Sequence, residues 1–255
     1  MKIPLKSAAE LEAMRTSCRM TAEVLGQVAA AVKPGITTGE LDELTRKLIA
    51  GLKAKPSFLG YHGYPAAICI SINDEVIHGI PGPRVVRPGD VVSLDVGVYY
   101  GGFHGDSATT VMVGVTDPDV IRLVETSKRA LEAAVAAARP GGHLSDVSHA
   151  VESIARASGC EVVREFVGHG VGRHLHEEPQ VPNYGAPGRG PVLQPGMTLA
   201  IEPMVNLGRP EVVVLDDKWT VVTRDGKPSA HFEHTVAVLE EGVEVLTLAE
   251  RISKL

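Results

Sequence analysis

The chain contains 255 residues, of which 44% are apolar and 22% are charged. This length and composition are typical of globular proteins with one large domain or two small ones, and they argue against disordered and fibrous classes. The formal charge of −6 argues against nucleic-acid binding through a basic surface, and no apolar run reaches the roughly 18 residues of a membrane-spanning helix.

In the first half of the chain, two predicted helices precede three predicted strands. Apolar residues at helical spacing predict a long helix over 7–32. A Pro34-Gly35 break follows, and then a second helix over 38–49 with Thr37 or Thr38 as its N-cap. Runs rich in β-branched residues predict strands over 67–73, 91–100 and 107–115.

The second half repeats this order. A helix is predicted over 117–138, then a break at Pro140-Gly141, then a helix over 145–155 with Ser145 as its N-cap. A glycine-rich stretch over 168–176 comes next. Extended segments are predicted over 198–205 and 234–240.

The Pro-Gly breaks indicate an internal duplication. Pro34 and Pro140 are 106 residues apart, and Pro88 and Pro195, which each precede a strand, are 107 apart. Two matches at nearly one offset favour a duplicated domain over two accidental turns, the alternative that remains open. Helices grouped before strands indicate an α+β fold with an antiparallel sheet. The predicted organisation is one domain of 1–255 with repeats of roughly 7–115 and 117–245.

Two carboxylates interrupt the strands of the first half. Asp95 lies inside an apolar strand, where an ionised carboxylate is costly unless it is paired or bound to a metal. If Gly101-Gly102 forms a two-residue hairpin turn, Asp95 faces Ala108, and Asp106 lies two positions further along on the same sheet face. Neighbouring carboxylates repel unless a cation lies between them. Taken alone, Asp106 could equally be a solvated turn residue.

The second half supplies two more acids and a histidine. Glu202 lies seven residues after Pro195, as Asp95 lies seven after Pro88, and Glu233 begins a strand-like run. The glycines around His169 allow the backbone a close approach, which would let this imidazole reach inward. Four acids converging from two halves predict a binuclear metal site, since oxygen-rich ligation suits hard or borderline divalent ions.

Common motifs of other enzyme classes are missing. Leu175 stands where the last glycine of GxGxxG would be, and the sequence contains no HExxH, GxSxG or Walker loop. Three cysteines, Cys18, Cys69 and Cys160, form no CxxC pair, which fits a reduced, cytoplasmic compartment. Residues 1–5 also lack the apolar core of a secretory signal.

The chain resembles the type I methionine aminopeptidases, a family of two-metal exopeptidases. The resemblance covers nearly the whole chain and rests on short motifs in a fixed order. These are Tyr61-His62-Gly63-Tyr64-Pro65, Ile72-Asn73, His78-Gly79-Ile80-Pro81, Asp95-Val96-Gly97, Gly168-His169-Gly170-Val171-Gly172, Glu177 and Pro179, Ile201-Glu202-Pro203, and Glu233-His234-Thr235. It implies the pita-bread fold, a pseudo-twofold α+β domain with a curved antiparallel sheet flanked by helices.

The resemblance also implies roles for individual residues. The metal ligands would be Asp95, Asp106, His169, Glu202 and Glu233. Glu202 would also accept a proton from the attacking water, His176 would stabilise the oxyanion, and His78 would bind the scissile amide. The pocket for methionine would be formed by Phe58, Tyr61, His62, Tyr64, Cys69, Leu175 and Trp219.

Three pocket positions depart from the family pattern. Leu175 stands where many bacterial members carry an aromatic residue, and Phe58 and Ile77 stand where several carry cysteine. All three remain apolar, so the preference for methionine is expected to persist. Cys69 could equally be an ordinary core residue.

The implied activity is removal of the initiator methionine from nascent proteins when the second residue is small. Two ions per chain are expected, and cobalt, manganese, iron, nickel or zinc would all suit the ligands. The resemblance further implies a monomer that meets nascent chains at the ribosome. The net charge and the lack of a long apolar run predict that the chain binds neither nucleic acid nor membrane. Two alternatives are an X-Pro dipeptidase or aminopeptidase P-like hydrolase, and a metal-free binding protein of the same fold.

Overall fold

The computed structural model describes residues 2–248, which form four α-helices, one 3₁₀ turn and fifteen β-strands. The helices are α1 Ala8–Ala31, α2 Thr38–Gly51, α3 Pro118–Ala137 and α4 Leu144–Ala157. The 3₁₀ turn is Tyr61–Gly63. The strands of the first half are β1 Lys55–Pro56, β2 Ile68–Ile72, β3 Glu75–Ile77, β4 Val91–Tyr100 and β5 Phe103–Met112. The strands of the second half are β6 Glu161–Val162, β7 Gly168–Gly170, β8 Glu177–Val181, β9 Thr198–Ile201, β10 Met204–Asn206, β11 Val212–Val214, β12 Val221–Thr223, β13 Ser229–His231, β14 His234–Leu239 and β15 Gly242–Val245.

All four predicted helices are present, and local capping fixes where they begin. Ser7 and Glu10 form a capping box at α1, and Thr37 and Glu40 form one at α2. The predicted N-cap Ser145 of α4 is wrong, because the cap position belongs to His143. The Ser145 hydroxyl instead accepts the backbone N–H of Arg189 at 2.7 Å.

The strand predictions were accurate where one hairpin determines the pairing. Strand β4 has the predicted bounds, and Asp95 faces Ala108 across the hairpin as predicted. Strand β5 begins at Phe103, before the predicted 107, because the tight turn pairs Phe103 directly with Tyr100. The predicted segment 198–205 is split into β9 and β10 at Glu202-Pro203. Proline has no N–H to donate to a strand ladder, which accounts for the break.

The strands pair antiparallel and form four small sheets. In the first half β4 is central and pairs with β1, β2 and β5. In the second half the largest sheet has the order β15-β14-β9-β7-β8. Two three-stranded sheets, β13-β10-β6 and β11-β12-β3, complete the set, and the latter joins strands from both halves.

Each half has its own hydrophobic core. In the first, Val28 of α1 and Leu41 of α2 pack with Ile70 and Leu94 of the sheet. In the second, α3 and α4 cover the strands around Leu199. Among residues 2–248, every helix is too short or too polar to cross a membrane. All three cysteines are buried free thiols.

Equivalent hydrogen bonds recur in the two halves at the offset seen in the sequence. The N–H of Gly35 donates to the carbonyl of Val86, and that of Gly141 donates to Leu193, each at 2.9 Å. Isolated bridges join Thr37 to Val85 and His143 to Val192. We therefore propose that residues 7–115 and 117–245 are two copies of one ancestral unit, and these paired contacts support that proposal.

Candidate metal centre

The first two predicted ligands lie on the central hairpin. Asp95 and Asp106 occupy the same face of β4 and β5, because Asp95 pairs with Ala108 and Asp106 with Gly97. Asp106 is 4% exposed. Its backbone is fixed to the second half, since its N–H donates to the Thr235 hydroxyl at 3.2 Å and that hydroxyl donates to the Asp106 carbonyl at 2.8 Å. The hairpin therefore delivers both acids to the junction between the halves.

The two acids of the second half lie where strands are interrupted. Glu202 stands between β9 and β10, and Glu233 between β13 and β14. Glu233 is 2% exposed, and its N–H donates to the Ala108 carbonyl at 3.0 Å. Its own carbonyl accepts the Ser107 hydroxyl at 2.9 Å. These bonds hold Glu233 against β5 beside Asp106.

His169 reaches this junction from β7, where two glycines permit close packing. A methyl group on Gly168 would overlap the carbonyl oxygen of Ala200, and one on Gly170 would overlap that of Glu178. The Nδ1 atom of His169 lies 2.8 Å from the Gly170 carbonyl, so Nδ1 carries the proton that is donated there. Nε2 is then free to bind a cation.

The side chains of three predicted ligands form a compact cluster. Asp106, His169 and Glu233 each offer one ligand atom, and these atoms lie within 4.8 Å of one another. Glu202 adjoins them, with its Oε1 3.5 Å from the Nε2 of His169. Asp95 is not in this triad but faces the same cavity.

The chemistry of the cluster fits a divalent cation. Within residues 2–248, buried oxygens of Asp95, Asp106 and Glu233 have no hydrogen-bond partner. Enclosed carboxylate oxygens without partners are costly, and a bound cation would satisfy them. Oxygen atoms with one imidazole nitrogen suit several divalent transition metals.

Burial strongly perturbs every titrating group at the centre. It raises the pKa of Asp95 to about 7. Burial first, and then the neighbouring carboxylates, raises the pKa of Asp106, Glu202 and Glu233 well above the ordinary range. Burial, with a smaller effect of His176, lowers the pKa of His169 to about 3. The acids cannot all ionise together unless positive charge enters the site.

A cavity of about 180 Å³ opens above the cluster and is lined by most of the predicted pocket residues. His78 and His176 line it, as do all five predicted ligands. The predicted pocket residues that line it are Phe58, Tyr61, Tyr64, Cys69, Leu175 and Trp219, together with Ile77.

His62 is the exception among the predicted pocket residues. It does not belong to the cavity lining but is exposed, with its ring edge-on to that of Tyr61 at 4.4 Å. The prediction that it lines the pocket is not supported by this position. His62 has a left-handed backbone (φ 47°), which the sequence pattern does not specify, and its side chain is exposed.

His78 is presented by an unusual backbone conformation. Its φ is 60°, and its ring stands edge-on to those of Phe166 and Trp219. Burial, and then His176, lowers the pKa of His78 to about 4. A non-glycine residue in this region of backbone space is uncommon, and the surrounding structure must maintain the strain.

Sequence reasoning missed three residues of the site. Phe166 and Val167 line the cavity just before the glycine-rich stretch. His231 is 2% exposed, and its Nε2 lies 3.8 Å from Oε2 of Glu202. Its spacing of two from Glu233 was the available signal, since alternate residues of an extended segment share a face.

Comparison with known proteins reveals clear relatives. Residues 12–240 match metallopeptidase family M24. The chain is 48% identical over 242 residues to methionine aminopeptidase 1 of Bacillus subtilis strain 168, covering 95% of this chain and 98% of the relative. The crystal structure of methionine aminopeptidase from Thermotoga maritima is similar with a TM-score of 0.95 at 46% identity, covering 98% of this chain and all of that one.

More distant structures share the fold. Prolidase from Pyrococcus furiosus is similar with a TM-score of 0.77 at 23% identity, covering 97% of this chain and 66% of its own. At that identity the likeness concerns the fold alone. The predicted α+β pita-bread fold is confirmed by these neighbours, and the family together with the ligand cluster supports the use of a divalent metal.

Proposed function

The chain belongs to metallopeptidase family M24, and we propose that it is a methionine aminopeptidase that removes the initiator methionine from nascent proteins. The observation that carries the proposal is the meeting of acids from both halves with His169 beneath an apolar cavity. The high identity to methionine aminopeptidases over nearly the whole chain adds to it. The catalytic unit would be a single domain of 1–255.

The proposed metal ligands are Asp95, Asp106, His169, Glu202 and Glu233. Two ions are proposed from the family resemblance, and the unpartnered buried oxygens of Asp95, Asp106 and Glu233 would be satisfied by bound cations. When bound, such ions would supply Lewis-acid activation of water at neutral pH. Cobalt, manganese, iron, nickel and zinc all suit the ligand set, and availability in the cell would decide among them.

Side chains of the protein would handle the proton and orient the peptide. Glu202 would accept the proton of the attacking water, from its place 3.5 Å from the Nε2 of His169 in the cluster. His176 would donate a hydrogen bond to the oxygen that becomes negative in the transition state. His78, which also lines the cavity, would contact the scissile amide.

The cavity provides the basis for selecting methionine. Phe58, Tyr64, Leu175 and Cys69 form a buried apolar cluster with Trp219 packed beside it. An unbranched thioether would fit such a pocket and contact its aromatic rings favourably. From the family resemblance we also propose that the enzyme prefers substrates whose second residue is small.

The cellular setting is also a proposal. The substrates would be the amino termini of nascent chains, met at the ribosome by a monomeric enzyme in the cytoplasm. The net charge of −6 and the three free thiols are consistent with that setting.

The test is cleavage of a Met-Ala-Ser peptide by protein reconstituted with divalent metal. We expect Asp95→Ala and Glu233→Ala to abolish cleavage and weaken metal binding measured by calorimetry, while circular dichroism shows a folded chain. Glu43→Ala removes an exposed carboxylate from α2 and serves as the matched control. Full activity in either ligand variant would rule out the ligand assignment.

Substrate panels separate the proposal from its alternatives. Cleavage of Met-Ala-Ser but not of an X-Pro peptide is expected, with declining rates as the second residue is enlarged. Preference for X-Pro would instead indicate a prolidase-like hydrolase. A chain that binds no metal and cleaves neither peptide would be a binding protein of the same fold.

A further inference from the structure

Tyr61 makes a contact that its place in the pocket does not require. Its hydroxyl lies 2.6 Å from the Nδ1 of His176, and the two ring centroids are 5.1 Å apart. From this geometry we propose that Tyr61 is a positioning residue, which donates a hydrogen bond to Nδ1 and holds His176 as the tautomer with its proton on Nε2. The inference rests on the proposed function in one respect, namely the role of the His176 Nε2 in stabilising the oxyanion.

The backbone around Tyr61 is built to make this contact. Three neighbours have positive φ angles: Gly60 (82°), His62 (47°) and Gly63 (88°). The turn is closed by the N–H of Gly60, which donates to the Tyr64 carbonyl at 2.8 Å. Such a run of left-handed residues is costly for His62 and persists only where the surrounding structure determines it.

The turn is also anchored to the sheet. The Tyr64 hydroxyl reaches the carbonyls of Ile68 at 3.1 Å and Gly79 at 2.9 Å, so the residue after the turn is fixed at its far end. His176 is constrained from its other side, since its ring stands edge-on to that of His169 with centroids 4.2 Å apart. Both partners of the hydrogen bond are therefore held in place.

The direction of the hydrogen bond decides what His176 can do. A neutral imidazole has one N–H and one acceptor nitrogen, and the group bound at one nitrogen sets the role of the other. If Nδ1 accepts from Tyr61, Nε2 is a donor and can stabilise an oxyanion. If Nδ1 instead donates to the phenol oxygen, Nε2 has only a lone pair and would repel a developing negative charge. Burial, followed by the charge of Asp106, raises the pKa of Tyr61, so its hydroxyl keeps its proton.

The direct test is nitrogen NMR of the zinc-loaded protein labelled with ¹⁵N-histidine. The His176 signals are assigned by their loss in His176→Gln. We expect Nδ1 to have the shift of an unprotonated nitrogen and Nε2 that of a protonated one. In Tyr61→Phe, which keeps the ring but lacks the hydroxyl, both shifts should move toward an average of the two tautomers. The opposite pattern in the parent protein, or unchanged shifts in Tyr61→Phe, would overturn the proposal.

Kinetics supply a second readout. For Tyr61→Phe with Met-Ala-Ser we expect kcat to fall about ten-fold, the loss that removal of one hydrogen bond produces, with little change in KM. A rise in KM alone would mean that Tyr61 contributes only to the pocket and would contradict the positioning role. Tyr100→Phe, at the exposed end of β4 beside the hairpin turn, is the control.

The spectra separate failure of this proposal from failure of the proposed function. They are recorded without substrate, so the tautomer is measured whether or not the peptide is cleaved. The predicted shifts in a protein without aminopeptidase activity would contradict the proposed function alone, whereas an active enzyme with the opposite tautomer would contradict this inference alone.

Discussion

The two halves of the molecule position the proposed metal ligands in different ways. In the first half, Asp95 and Asp106 are carried by a regular hairpin of two ten-residue strands. In the second, Glu202 and Glu233 lie at strand interruptions, and His169 stands on a three-residue strand between glycines. The regular half places Asp95 and Asp106 mainly through strand register, with one contact between Asp106 and Thr235 of the other half. The irregular half depends more on close backbone approach and on contacts with the first half.

The largest effect is expected from breaking the irregular half. In Gly170→Ala the new methyl group would overlap the backbone carbonyl of Glu178, which cannot move as a side chain can. We expect a loss of about 3 kcal/mol in the free energy of unfolding and displacement of His169, with at least ten-fold weaker metal binding by calorimetry.

A glycine of the regular half provides the comparison. In Gly97→Ala the methyl group would meet side-chain atoms of Phe58 and Ser57, each at 2.7 Å. The Phe58 ring can turn aside, whereas the Cβ of Ser57 can move only with its backbone. Both atoms lie farther from the new methyl group than the Glu178 carbonyl oxygen does in Gly170→Ala, so a smaller loss of stability and a smaller loss of metal affinity are expected. If the two variants lost metal affinity equally, the proposed contrast between the halves would be wrong.

A second prediction concerns the repulsion among the acids of both halves. In metal-free protein their raised pKa values mean that the folded state binds more protons than the unfolded state, so stability falls as pH rises. For Asp95 this contribution is lost as pH rises from 3.8 through about 7. The buried histidines act oppositely, but only below their ordinary pKa of 6.5.

The interval from pH 6.5 to about 8, below the range in which free thiols titrate, therefore isolates the carboxylates. Denaturant unfolding in EDTA should show stability declining across it. Glu233→Gln should be more stable than the parent at the upper end and should show a shallower decline, while Glu43→Gln follows the parent. If the free energy of unfolding of the parent protein rose with pH across this interval, the proposed repulsion among the buried carboxylates would be contradicted.

The smallest effect is expected at the junction between the halves. Thr235→Val keeps the shape of the side chain but removes both hydrogen bonds that join it to the backbone of Asp106. We expect a loss of about 1–2 kcal/mol in the free energy of unfolding and a few-fold weaker metal binding. Thr45→Val removes a buried hydrogen bond within α2. It should lower the free energy of unfolding by a similar amount without changing the metal affinity. Equal metal affinity in the two variants would show that the junction does not position Asp106.

Local sequence patterns predicted much of this architecture. The four helices follow from the spacing of apolar residues and the Pro-Gly breaks, and the hairpin register follows from a two-residue turn. The short strands β6, β7 and β8 were not predicted, because two to five residues carry too little periodicity and their pairing partners are distant in the chain. The position of His62 and the cap at His143 were missed for a similar reason, since backbone conformations and long-range contacts decide them.

The sequence by itself determined the hairpin register that brings Asp95 and Asp106 to one face, and it predicted the set of acids and histidine proposed to bind metal. Only the tertiary structure decided that Glu233 lies beside Asp106, that His231 approaches Glu202, and that Tyr61 reaches His176. These contacts join residues up to 127 positions apart, a separation that no local pattern encodes. They form because two cores pack against each other, and burial at that junction gives the carboxylates and imidazoles their perturbed pKa values.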